Sequence, residues 1–75
     1  MRADKVLSAM LKREGVRASD VARQLGKNPK YLNGVIVRHS IPKADTFAAI
    51  SDVLGYDLIA RNRDDGFEFS IDPPV

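Results

Sequence analysis

With 75 residues the chain has room for one domain and little for an enclosed active-site cavity. Hydrophobic residues make up 44%, enough for one small core, and the absence of cysteine excludes a disulfide scaffold and thiolate metal ligands. The net charge of +2 conceals an asymmetry: residues 1–43 hold ten Lys/Arg against three Asp/Glu, a balance of +7, and residues 44–75 hold two against seven, a balance of −5.

The basic half is therefore expected to face a polyanion, and the acidic half to do something else. No apolar run exceeds four residues. That leaves no membrane span and no signal-peptide core, so the cytoplasm is the expected compartment.

The first predicted element is an amphipathic helix. Ala3, Val6, Leu7, Met10 and Leu11 recur at three- and four-residue steps, and Arg2, Lys5, Ser8, Lys12 and Arg13 face water or phosphate. Gly15 fits the left-handed position that ends a helix. A second, short helix is expected over Ala18–Leu25, with either Ser19 or Arg17 at its cap and Val21, Ala22 and Leu25 inside. Gly26 breaks it.

The third helix has the clearest start. Asn28 is a good N-cap and Pro29 suits the first helical position. Leu32, Val35 and Ile36 form its apolar stripe, so it is expected to pass through Gly34 to about Val37. Pro42 opens a fourth helix, about Lys43–Leu54, with Phe47, Ile50, Val53 and Leu54 on one face and Gly55 at its end. The period then changes to two. Tyr56–Asn62 and Phe67–Ile71 are predicted strands, joined by a two-residue Asp65-Gly66 turn, and Asp72-Pro73-Pro74 stops the ladder. Phe67, Phe69 and Ile71 share a face that needs a cover, because a lone hairpin is marginal.

Two short helices joined by a tight glycine turn make a helix-turn-helix unit. Ala22 is small where the helices cross, Gly26 supplies the turn, and Val21, Leu25, Leu32 and Val35 pack the angle. Val21-Ala22-Arg23-Gln24-Leu25-Gly26 followed by Asn28-Pro29-Lys30-Tyr31-Leu32 resembles the lambda-repressor/Cro-like (XRE-type) helix-turn-helix family. Ile41-Pro42, Asp45-Thr46-Phe47 and Leu54-Gly55-Tyr56-Asp57-Leu58 resemble that family's fourth helix and its exit, so the likeness covers about Ala3 to Leu58.

The resemblance implies a mainly α, four-helix lambda-repressor-like domain with a C-terminal β-hairpin. It implies a sequence-specific double-stranded-DNA-binding transcriptional regulator, most simply a repressor, whose helix near Asn28 lies in the major groove. Asn28, Lys30, Tyr31, Asn33 and Gly34 fall at or beside positions where members contact bases or phosphates. Arg38, His39, Ser40 and Lys43 lie where members meet the DNA backbone, and Arg23 and Lys27 can add phosphate contacts. Three departures stand out. The phosphate-clamping Gln of many members is Ala18 here, so that clamp is either absent or passes to Arg17 or Ser19; Gly34 replaces a long polar residue; and Val37-Arg38 replaces a common Asn-Gly turn.

Residues 1–75 are thus expected to form a single domain, with a helical part over 1–55 and a hairpin over 56–72. The hairpin is expected to make a homodimer. The alternative is an antitoxin or adaptor whose hairpin binds a partner protein such as a toxin, with DNA binding as autoregulation. One histidine, no cysteine and no glycine-rich phosphate loop leave no nucleophile–base set, so neither an enzyme nor a cofactor is expected. RNA is disfavoured for want of an aromatic stacking platform.

Overall fold

Among the described residues, every helix ends in the same way. In a computed structural model describing residues 1–74, the elements run α1 (Ala3–Glu14), α2 (Ala18–Gln24), α3 (Tyr31–Val37), α4 (Ala44–Val53), β1 (Leu58–Arg61) and β2 (Glu68–Ile71). Val75, counted in the expected domain, lies outside the described residues. The chain is about half helical, with four helices and one antiparallel hairpin. It divides into two compact units, Met1–Pro42 and a second from Lys43 onward.

Each helix closes with paired backbone hydrogen bonds around a left-handed residue. After α2, Gly26 N–H donates to Arg23 O at 3.0 Å and Lys27 N–H to Ala22 O at 2.9 Å, with Gly26 at φ 71°. Gly15 and Gly55 serve α1 and α4 in the same role. After α3 the left-handed residue is His39, at φ 54°, with His39 N–H on Ile36 O and Ser40 N–H on Val35 O. A side chain in this region costs about 1–2 kcal/mol, so His39 needs something to hold it.

In the first unit the apolar stripes of α1, α2 and α3 meet. Leu7, Met10, Leu11, Val21, Ala22, Leu32 and Val35 are buried, with α3 packed on both α1 and α2. Fully burying a Leu or Val side chain contributes about 1.5–3 kcal/mol, so this cluster dominates the unit's stability. Arg17 is the extended residue before α2, which decides the cap in its favour over Ser19, although no side chain bonds the helix end there.

Two expectations about α3 need correction. Asn28 does use its side chain, Oδ1 accepting Lys30 N–H at 2.9 Å, but the cap organises a turn rather than the helix. Tyr31 N–H bonds Asn28 O, closing that turn, and the helix proper starts at Tyr31 after a helical-region Lys30. Pro29 therefore sits in the turn, and not at the first helical position. Passage through Gly34 to Val37 is as expected.

In the second unit α4 starts one residue later than expected, with Lys43 extended before it. Ala48, Ile50, Ser51 and Leu54 are buried, and Phe47 and Val53 only partly so. The strands are shorter than expected, and the turn differs. Leu58 pairs with Ile71 and Arg61 with Glu68, and Asn62 N–H donates to Phe67 O at 2.8 Å. The loop is thus Arg63–Gly66, four residues and not the two of Asp65-Gly66.

Asn62 explains the widening. Its Oδ1 accepts Asp64 N–H at 2.8 Å and Asp65 N–H at 3.3 Å, and its carbonyl accepts Gly66 N–H. The register moves by two residues, an even shift, so the same side chains still share a face. Leu58 and Ile71, at the base of that face, are half-buried where the strands meet α4. Phe67 and Phe69 stay 61% and 69% exposed, ring against ring at 5.1 Å.

Candidate nucleic-acid interface

The short helix α3 buries one side and shows the other. Leu32 and Val35 are inside. Lys30, Asn33, Gly34, Val37 and Arg38 recur at three- and four-residue steps along the opposite side. Lys30, Asn33, Val37 and Arg38 are exposed, Val37 at 65%. Lys30 and Arg38 make no ion pair among the described residues.

Beside this face lies an open groove of about 300 Å³, lined by Arg17, Ala18 and Ser19 from the start of α2 and by Pro29, Lys30 and Asn33. Asp20 bonds Arg17 Nε at 3.1 Å and Arg23 Nη1 at 3.0 Å, which tethers both guanidiniums along α2. These pairs are largely solvated, so they orient the side chains more than they stabilise the fold. Ala18 lines the groove, with Arg17 and Ser19 on either side.

The expected site residues therefore separate. Lys30 and Asn33 line the groove, and Gly34 and Arg38 continue their face. Arg23 is exposed but shared with Asp20. Lys27 lies over the half-buried Tyr31 ring, 5.3 Å from its centroid, so the two form one cationic-aromatic unit at the start of the helix. Asn28 is exposed, but its side-chain oxygen is committed to the turn. Lys43 is exposed in the second unit, as the residue before α4. Arg17 and Ser19 join the site on geometry.

One buried group escaped sequence reasoning. Asp4 is only 2% exposed, and its Oδ2 accepts a 2.7 Å hydrogen bond from His39 Nδ1, with the Arg2 guanidinium 3.3 Å away. The His39 hydrogen bond lowers the Asp4 pKa; burial opposes this, and the Arg2 charge adds to the lowering. Because Asp4 is held ionised, Nδ1 carries the proton. Asp4 Oδ1 is buried without a partner. The contact ties the start of α1 to the left-handed turn after α3 and gives His39 the restraint its backbone requires. The signal was present in the sequence: Asp4 stands three residues before Leu7 and seven before Leu11, on the apolar stripe.

A second, smaller hollow of about 100 Å³ lies within the second unit. Its lining includes Asp52, Asp57 and Asp72, which makes it unsuited to phosphate. Among the described residues there is no group of three or more metal-ligating side chains, and no helix is long and apolar enough to cross a membrane. No family model matches the chain, and no curated protein or solved structure matches it.

Proposed function

We propose that the chain is a sequence-specific double-stranded-DNA-binding protein of the lambda-repressor/Cro-like helix-turn-helix kind, acting in the cytoplasm as a transcriptional repressor. The observation that supports this most is the outer face of α3. Lys30 and Arg38, without ion-pair partners, flank Asn33 on a short exposed helix, beside a groove that Arg17 also lines. Lysine and arginine suit guanine edges and phosphates, and asparagine suits adenine. In the proposed docking α3 enters the major groove, while Arg17, Ser19 and the Lys27–Tyr31 pair meet the backbone.

In this proposal two copies join through the hairpin, whose exposed Phe67 and Phe69 supply the apolar surface. Two α3 helices about 34 Å apart then read a palindromic site. No catalytic step or cofactor enters the proposal.

Selection of bound sequences from a random duplex pool tests it. The expected product is a symmetric motif, bound with an affinity that falls by a log–log salt slope of about −0.9 for each phosphate neutralised. Lys30→Glu should stay folded and bind roughly a hundredfold more weakly. An unselective pool, or a folded Lys30→Glu protein that binds like its parent, overturns the proposal.

The same exposed aromatic pair favours a second reading, in which the hairpin docks on another protein and the chain is an antitoxin or adaptor. The mass of the purified protein separates the two. A stable dimer supports the first reading, and a monomer that persists only with a co-purified partner supports the second.

A further inference from the structure

Gly34 is anomalous. It stands inside α3, where a glycine is less favourable than alanine because it gives up more backbone freedom. Its backbone does not need the exception: the glycines with left-handed φ are Gly15, Gly26, Gly55 and Gly66, and Gly34 is not among them. The space a Cβ would occupy is taken instead. An ideal Cβ at residue 34 would stand 2.8 Å from Arg38 Nη1 and 3.4 Å from both Arg38 Cζ and Nη2, and these are its three nearest neighbours. The Arg38 guanidinium is thus folded back one turn, over the bare backbone of Gly34.

This changes what Arg38 is placed to do. Long helical side chains lean toward the N-terminus and cover the preceding turn. An arginine at the end of a helix would ordinarily reach a flanking phosphate. Here its fork lies at the middle of the outer face, with Lys30 and Asn33 on the turn before. Other arginines of the first unit are paired: Arg2 with Asp4, Arg13 with Glu14, and Arg17 and Arg23 with Asp20. Arg38 makes no ion pair among the described residues, so its donors are uncommitted.

Resting on the duplex-binding function proposed above, we infer that Arg38 is a base-reading residue that recognises guanine in the major groove, and that Gly34 is the positioning residue that seats it. A guanidinium presents two parallel N–H donors, which match guanine O6 and N7, and no other base offers that pair of acceptors. Any side chain at position 34 lifts the fork off the helix and spoils the match.

The test compares Gly34→Ala, Arg38→Ala and Arg38→Lys with the parent in selection from a random duplex pool, with thermal unfolding measured in parallel. The parent should select guanine at one position in each half-site. Arg38→Ala should lose that preference, about tenfold to a hundredfold at that position, and keep the rest of the motif, and Arg38→Lys, which keeps the charge but not the fork, should retain only part of it. Gly34→Ala should lose the same preference while its unfolding midpoint rises by about 3–6 °C, because Cβ displaces only a flexible side-chain end and helix propensity improves. Recognition lost together with stability gained is a combination that a merely structural glycine would not show.

If Arg38→Ala weakens every sequence equally, Arg38 is a phosphate contact and the inference is overturned. If Gly34→Ala keeps the guanine preference, the seating role is overturned. Both results leave duplex binding intact, whereas a parent that enriches no sequence overturns the sequence-specific function proposed above and this inference with it.

Discussion

The two compact units solve the problem of a small core in opposite ways. Met1–Pro42 closes its apolar stripes inward and leaves a basic polar face outward. From Lys43 onward, α4 covers only the base of the hairpin, and Phe67 and Phe69 remain in solvent. The boundary falls within one residue of the point where the charge changes sign. Burial, exposure and charge thus differ along the chain: a basic unit with its apolar stripes buried, and an acidic unit that leaves two aromatic rings exposed.

Breaking the core of the first unit should have the largest effect. Leu32 is fully buried, so Leu32→Ala should cost about 2–5 kcal/mol in chemical denaturation. In a domain of this size that loss approaches the whole stability. Next comes the turn between α2 and α3. Gly26→Ala forces a side chain to φ 71° and should cost about 1–2 kcal/mol, with no clash to add, because nothing lies within 4 Å of the new Cβ.

In the second unit the corresponding losses should be smaller. Asn62→Ala removes the acceptor for two loop amides and should cost about 0.5–1.5 kcal/mol. Phe69→Ser should shift stability by no more than about 0.5 kcal/mol, since the ring is mostly exposed already. In the dimer proposed above, the same variant should convert a two-chain mass in sedimentation to a one-chain mass. A Phe69→Ser protein as unstable as Leu32→Ala would erase the contrast between the units.

The smallest effect concerns acid. Asp4 titrates lower in the folded chain than in the unfolded one, so the unfolded state takes up its proton first as pH falls. The stability it contributes is present above the ordinary carboxyl value of about 4 and is lost as pH drops through the lowered folded value. Below about pH 4, unfolding midpoints should fall less steeply with acid in Asp4→Asn than in the parent. Equal slopes would remove the His39–Asp4 contact from the account.

Much of the first unit was legible because long, regular stripes leave little choice. Leu7, Met10 and Leu11 place α1, and Val21-Ala22 with Gly26 place α2 and its exit. What went unread involves side chains that bond locally to the backbone. Asn28 looked like a helix cap and caps a turn, because Lys30 N–H lies within its reach before the helix begins. Asp65-Gly66 looked like a two-residue turn, but Asn62 offers the loop amides a better acceptor and opens the loop to four. His39 gave no local sign of a left-handed turn, since its restraint comes from Asp4, 35 residues away. In the candidate site, the cations were legible from spacing. Their neighbours were not: Asp20 bonds Arg17 and Arg23, and the Arg38 guanidinium lies over the bare backbone of Gly34.

Backbone chemical shifts followed during titration with a mixed-sequence DNA duplex at low salt test the duplex docking proposed above most directly. Shifts should concentrate at residues 17–19 and 27–38, be absent over 58–71, and reverse when salt is raised. Shifts centred on the hairpin, or no shifts anywhere at low salt, would contradict it.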